Sequence, residues 1–350
     1  MDQIINDGKC DMVGMGRGIL AEREWVKKCA EGREDELRYC ISCMNCFNVN
    51  PFSYEQTNCS VNPFALREGS KRPIVQDGDG RLVAVIGAGP AGMEAAVTLK
   101  QRGFDVVVFD KRDEIGGNLH VAKKPPFKGK FEWAIDYYKS MAKKLNITMK
   151  LGKEVTAQEV LALKPYSILV ATGSNVISIP LEGLDQVQTV QAHDVLANDM
   201  QFANKKVVVI GGGITGLETA LYINRQGTNQ VSVVDMLPEW PVDMLDMRYQ
   251  NEALLEVRHC NDQGVALFYN NKVVKFADGK LFIESTKDGE VKELPADVIV
   301  LSVGVKPNDA LWQELLASGH PSVWKAGDAI ATGKINKAVL HGSKFGYSLN

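Results

Sequence analysis

The sequence predicts an α/β protein, and three observations carry that prediction. A buried run, Leu82-Val-Ala-Val-Ile86, turns at once into Gly87-Ala-Gly89-Pro-Ala-Gly92. The pattern returns 124 residues later as Val207-Val-Val-Ile210 running into Gly211-Gly-Gly213-Ile-Thr-Gly216. Each copy is followed by another short apolar run that ends in an acid, Val106-Val-Val-Phe-Asp110 and Val231-Ser-Val-Val-Asp235.

A strand, a glycine-rich turn and a helix are the physical content of such a pattern. The first glycine permits the tight turn, the second lets backbone approach a pyrophosphate, and the third lets the helix pack on the sheet. The diphosphate then sits on the helix N-terminus, and the acid at the end of the next strand hydrogen-bonds a ribose hydroxyl. One fingerprint is a weak signal; two with matching acids imply two Rossmann-like dinucleotide-binding units in one chain. An acid at Asp235 favours NADH over NADPH, because a 2'-phosphate would be repelled there.

The chain has 350 residues, 24% of them charged, with a net charge of -3. That length suits two or three domains, and dispersed Lys and Arg argue against a nucleic-acid or anionic-membrane surface. No apolar run reaches about 18 residues and the N-terminus lacks a signal-peptide pattern, so a cytoplasmic location is expected.

In order, Cys10–Met15 reads as a buried strand, Gly16-Arg17-Gly18 as a loop and Glu22–Cys29 as a helix with Trp25 on its apolar side. Next comes Cys40-Ile-Ser-Cys43-Met-Asn-Cys46, with Cys59 thirteen positions later. In a reducing compartment a crowd of thiols points to metal before disulfides. Three thiolates on a tight loop and a fourth from a distant turn suit one iron-sulfur cube; zinc also takes four thiolates, but its usual pattern is two separated C-x-x-C pairs. Cys10, Cys29 and Cys260 have no such company and read as buried apolar fillers.

Residues 64–81 are polar and turn-rich, a linker to the Leu82 strand. After Asp110 the pair Gly116-Gly117 with Asn118 permits a second close approach of backbone to ligand. Phe131–Leu145 has helical periodicity, Ile147–Leu151 reads as a strand, and Tyr166–Ala171 as a buried strand ending at Thr172-Gly173. Leu281–Ser285 and Asp297–Ser302 read as strands, with hairpin turns at Asp278-Gly279 and Asp288-Gly289. The chain closes with Val323-Trp-Lys-Ala-Gly327-Asp328 and a helix over 334–349.

Together these residues resemble the C-terminal half of the NADH:flavin oxidoreductases related to 2,4-dienoyl-CoA reductase and trimethylamine dehydrogenase, over essentially the whole chain. The twelve-residue gap before Cys59 is more similar to the trimethylamine dehydrogenase variant. The resemblance implies two nested dinucleotide-binding domains, 82–180 with 295–350 for FAD and 181–294 for NAD(P), preceded by a barrel remnant over 1–38 and an iron-sulfur loop and linker over 39–81. It implies that Gly87, Gly89, Gly92, Asp110, Gly117, Asn118 and Asp328 hold FAD, that Gly211, Gly213, Gly216 and Asp235 hold the nicotinamide dinucleotide, and that Cys40, Cys43, Cys46 and Cys59 hold a [4Fe-4S] cluster. Gly16 and Arg17 resemble the FMN-phosphate loop after the last barrel strand.

The family's first seven barrel units have no counterpart here, and with them the FMN platform and the substrate-protonating residues. The implied function is an electron-transfer flavoprotein module: hydride from NADH to FAD, single electrons to the cluster, and onward to FMN on another polypeptide or to another acceptor. Two alternatives stand beside it. A non-catalytic nucleotide-binding remnant would hold an ADP-type ligand on the same glycines. A pyridine nucleotide-disulfide reductase would share both fingerprints but needs a redox cysteine pair beside the flavin, and neither the segment after Gly117 nor the second domain contains one.

Overall fold

The computed structural model describes residues 2–47, 58–70, 73–238 and 250–350. The first domain opens with β1 (Leu82–Ile86), β2 (Asp105–Phe109), β3 (Thr148–Lys150) and β4 (Ser167–Val170), and the chain leaves it through β5 (Ser174–Val176). The second domain holds β6 (Gln188–Gln191), β7 (Lys206–Ile210), β8 (Gln230–Val234) and β9 (Ala266–Phe268). An antiparallel trio follows, β10 (Asn271–Ala277), β11 (Lys280–Ser285) and β12 (Val291–Pro295), and then β13 (Val298–Leu301). The return runs through β14 (Val305–Pro307), antiparallel to β5, and ends at β15 (Val323–Lys325). Exit and return therefore share one two-stranded ribbon, and the second domain is an insertion in the first.

Both main sheets are parallel and five-stranded, in the orders β15-β4-β1-β2-β3 and β6-β13-β7-β8-β9. Their central strands are continuous Val/Ile/Leu/Ala runs because helices cover both faces, so neither face needs polar residues. Val83, Val85 and Leu169 enter the core on one side of the first sheet, while Ala84, Ile86 and Ile168 enter that on the other.

The helix Pro90–Gln101 starts on a proline, where the missing N–H costs no hydrogen bond, and buries every residue from Ala91 to Leu99. One side meets the sheet. The other meets the closing helix Ile335–Ser348, where Gly342 and Gly346 allow backbone contact: a Cβ on Gly342 would lie 2.1 Å from Ala91 O, and one on Gly346 2.6 Å from Thr98 Cβ.

Several expectations change. Cys10–Met15 forms no strand; none of it is buried, and Met12 is 85% exposed, because no described strand stands beside it to pair its backbone. Arg17 lies not in a loop but at the start of the short helix Arg17–Ala21, and the next helix is Trp25–Ala30. Cys10 and Cys29 are only half-buried, whereas Cys260 is fully buried as expected. The return to the first domain falls after Leu301 and not at 295, since β13 pairs with β7 and β6. An apolar run such as Val-Ile-Val-Leu does not say which of two similar sheets it joins. The described part of 64–81 is docked: Asp77 takes two hydrogen bonds from Arg102, and Gly78 N–H donates to Arg102 O at 2.8 Å. Residues 71 and 72 of that segment lie outside the described residues.

The two domains also touch through side chains. Lys124 pairs with Asp199 at 2.5 Å, Lys128 reaches Glu218, and Arg112 Nη2 lies 3.4 Å from His193 Nε2.

Candidate functional site

The first candidate site forms at the carboxyl ends of β1, β2 and β4, where β1 stands between β4 and β2 and the chain order reverses, the place where open α/β sheets bind ligands. Gly87, at φ +114°, could not carry a Cβ: it would lie 2.2 Å from Ala171 O, just beyond β4. A Cβ on Gly92 would sit 1.9 Å from Gly87 O, so the third glycine closes the helix against the turn. Gly89 is the N-cap of Pro90–Gln101 with no side-chain cap, and among the described residues its missing Cβ faces only Gly117 Cα, 3.9 Å away. That helix end keeps its first N–H groups for an anion.

Gly117, at φ +54°, brings the second glycine segment against the first: its Cβ would approach Gly89 Cα at 2.8 Å, and Gly116 N–H donates to Ala88 O at 2.9 Å. Asp110 ties the loop from the other side. Its Oδ2 accepts Ala88 N–H at 2.6 Å and its Oδ1 accepts Arg112 N–H at 2.8 Å. Two of the carboxylate's roughly four acceptor positions are thereby used, leaving capacity for a hydroxyl. Asn118 caps the short helix Leu119–Ala122 and accepts from Arg112 Nη2 at 3.2 Å; Arg112 Nη1 also donates to Gly117 O at 2.6 Å.

Asp328 reaches this crevice from the far end of the chain. Gly327, at φ +63°, packs on Ala91, and Asp328 accepts Gly333 N–H at 3.0 Å and the Ser174 hydroxyl at 3.3 Å. Burial holds its carboxyl above the usual carboxylate range, with the Gly333 and Ser174 hydrogen bonds and nearby Lys337 opposing the shift.

The second site repeats the first. Gly211, at φ +108°, would place a Cβ 2.2 Å from Ser302 O beyond β13, and Gly216 would place one 1.9 Å from Gly211 O. Gly213 caps Ile214–Asn224 without a side-chain cap, and among the described residues nothing lies within 4 Å of its absent Cβ. Asp235 Oδ2 accepts Gly212 N–H at 2.6 Å and its Oδ1 accepts Leu237 N–H at 2.8 Å.

The cysteines gather against the first domain. Cys40, Cys43 and Cys59 pack on one apolar cluster with Ile41, Val61, Leu119 and Phe131, and Cys40 and Cys43 lie near enough to Cys46 and Cys59 that a thiolate on either would raise them. All four are free thiols. Burial is the main cause that raises the Cys46 thiol and pushes Cys59 up to about 11, although Val61 and Asn62 backbone hydrogen bonds to Cys59 work the other way. Among the described residues no group of three or more His, Cys, Asp or Glu stands in metal-holding geometry. Arg17 faces this loop: Nη1 donates to Met44 Sδ at 3.0 Å, and the guanidinium lies 6.0 Å from the Phe47 ring centroid. Among the described residues nothing lies within 4 Å of a Cβ on Gly16.

Sequence reasoning passed over Arg112, Ser174 and Arg38. Ser174 had a signal, the Thr172-Gly173 turn after β4. Arg112 and Arg38 had none, because surface and buried arginines look alike in a sequence.

The sequence profile of the pyridine nucleotide-disulphide oxidoreductase family matches residues 81–340. The chain is 34% identical over 357 residues to an NADH oxidase of Thermoanaerobacter brockii, covering 99% of this chain and 53% of that protein. A bilirubin reductase of Mediterraneibacter gnavus is 33% identical over 88% of this chain and 46% of its own. A solved 2-naphthoyl-CoA reductase complex superposes with a TM-score of 0.88 at 29% identity, over 99% of this chain and 52% of that one. The chain thus spans about half the length of the curated relatives it matches.

Proposed function

Because the chain belongs to the pyridine nucleotide-disulphide oxidoreductase family and aligns with the C-terminal parts of NADH oxidase and 2,4-dienoyl-CoA reductase-like enzymes, we propose that it is an NADH-dependent flavoprotein module. The first site takes FAD, on Gly87, Gly89, Gly92, Asp110, Gly117, Asn118 and Asp328. The second takes NADH, on Gly211, Gly213, Gly216 and Asp235. Cys40, Cys43, Cys46 and Cys59 ligate a [4Fe-4S] cluster. Bound there, FAD would supply a two-electron acceptor for the NADH hydride that can give up its electrons one at a time toward the cysteine loop.

The twin carboxylate contacts carry the reading: Asp110 and Asp235 each hold a glycine loop open over an uncapped helix N-terminus. The glycine cradles fit two dinucleotides, since a Cβ at Gly87, Gly92, Gly211 or Gly216 would collide with backbone while Gly89 and Gly213 leave room. The cysteine set fits an iron-sulfur cluster by its chemistry: four free thiols, three of them on one apolar wall, with Val61 and Asn62 N–H groups bonding Cys59. The chain's own residues bind, orient and screen the cofactors from water; no general acid or base is needed for direct hydride transfer.

Onward transfer to an FMN-bearing polypeptide, with Gly16 and Arg17 toward its phosphate, belongs to the same proposal. The disulfide-reductase alternative loses support from Cys260, the one cysteine beyond Cys59: it is fully buried, and burial pushes its thiol up to about 12.

Anaerobic purification followed by flavin and iron analysis and NADH titration tests the proposal. Flavin that bleaches on NADH addition, with iron present, supports it. A colourless chain that binds only an adenine nucleotide overturns it in favour of a non-catalytic remnant.

A further inference from the structure

The two cysteine-bearing segments are held on the flavin-site helix by one side chain. Arg38, two residues before Cys40, donates through Nη1 and Nη2 to Glu94 Oε2 and Oε1 at 2.8 and 2.9 Å. Nη1 also donates to Val61 O at 2.5 Å, two residues after Cys59. Glu94 lies one turn inside Pro90–Gln101, its side chain 3% exposed, and accepts the Tyr138 hydroxyl at 3.2 Å. The Arg38 guanidinium covers the Tyr137 ring at 4.4 Å from its centroid.

A planar fork that grips a carboxylate with two bonds and a carbonyl with another fixes direction as well as distance, which a lysine cannot do. Removing one partner would strand a buried charge, so the pair is retained only as a unit.

We infer that Arg38 is a positioning residue that fixes the cysteine loop on the flavin-binding helix and so sets the separation across which electrons pass between the two sites. The inference rests on the FAD and cluster assignments above. Its electrons come from NADH and its acceptor is the cluster, so Arg38 itself is neither oxidised nor reduced.

Two variants of the reconstituted full chain test this: Arg38→Lys, which keeps the charge and loses the fork, and Arg38→Met with Glu94→Leu, which removes both charges. Flavin content and the rate of flavin bleaching by NADH should stay near those of the parent. Reduction of the cluster, followed by its EPR signal, should slow severalfold relative to the parent, because a displaced loop lengthens the path between the two sites. In the metal-free chain, hydrogen exchange should rise across 38–46 and 58–66 and not in β1.

Cluster reduction at the parent rate in Arg38→Lys, or equal slowing of flavin bleaching and cluster reduction, overturns the inference. If the double variant fails to fold, Arg38→Lys decides alone. A parent chain with flavin but no iron removes the cluster assignment and this inference together, whereas unchanged variants in an iron-loaded parent remove the inference only.

Discussion

Asp235 Oδ2 accepts the Gly212 backbone N–H at 2.6 Å, the counterpart of the 2.6 Å bond from Ala88 N–H to Asp110. Each acid therefore does two things: it holds the turn between strand and helix, and it keeps acceptor capacity toward the crevice.

Asp235→Ala is expected to weaken NADH by about 1–3 kcal/mol, the cost of a lost hydrogen bond to a charged group. NADPH should weaken less, because removing the carboxylate also removes its repulsion of the 2'-phosphate. Fluorescence titration with both nucleotides reads the difference. An equal loss would mean that Asp235 serves the Gly212 turn and does not read the ribose.

Gly213 and Gly216 should separate ligand contact from folding. Among the described residues nothing lies within 4 Å of a Cβ at Gly213, whereas one at Gly216 would stand 1.9 Å from Gly211 O. Gly213→Ala should cost under about 1 kcal/mol of stability while lowering NADH affinity at least about tenfold, by blocking the backbone's approach to the pyrophosphate. Gly216→Ala should cost about 1–3 kcal/mol or more from overpacking. Thermal midpoints and NADH titration on both variants check the ordering.

Cys43→Ser should lose most of the iron and the cluster's visible absorbance while FAD stays bound. Cys43 Sγ donates to Ser60 Oγ at 3.2 Å and packs with Cys40 and Cys59 on the cluster of Ile41 and Phe131, apart from the residues assigned to FAD. Iron analysis beside the flavin spectrum is the measurement; iron unchanged from the parent would remove Cys43 from the ligand set.

Asp328 gives the cofactor-free chain a pH dependence of definite sign. Burial raises its pKa on folding. A raised carboxyl favours the folded state below its unfolded pKa and loses that contribution as pH rises through the folded value. Asp328→Asn should therefore gain stability relative to the parent between about pH 4 and pH 7, and bind FAD more weakly. Thermal midpoints at the two pH values test this; the same difference at both would show that Asp328 does not couple to folding.

Much of the fold was legible because its signals are local. The run Leu82–Ile86 can only be a buried strand, and the spacing of Gly87, Gly89 and Gly92 follows from the turn, the helix start and the helix packing that a strand-to-helix junction imposes. The strand and helix near Ile147 and Phe131 followed from periodicity in the same way, as Thr148–Lys150 and Glu132–Lys144. Cys10–Met15 has the composition of a strand and is not one, since backbone pairing comes from a neighbour that the segment cannot specify.

By itself, then, the sequence determined the two glycine-rich crevices with their acids, and the close grouping of Cys40, Cys43 and Cys46. These depend on residues a few positions apart, where steric rules are strict. Only the tertiary structure decided that β13 joins the second sheet, that Gly327 returns to Ala91 and Asp328 to Ser174, and that Arg38 grips Glu94 across 56 residues of chain. Such contacts are chosen by which surfaces the whole chain can bury together, and a buried charge finds its partner only after that choice is made.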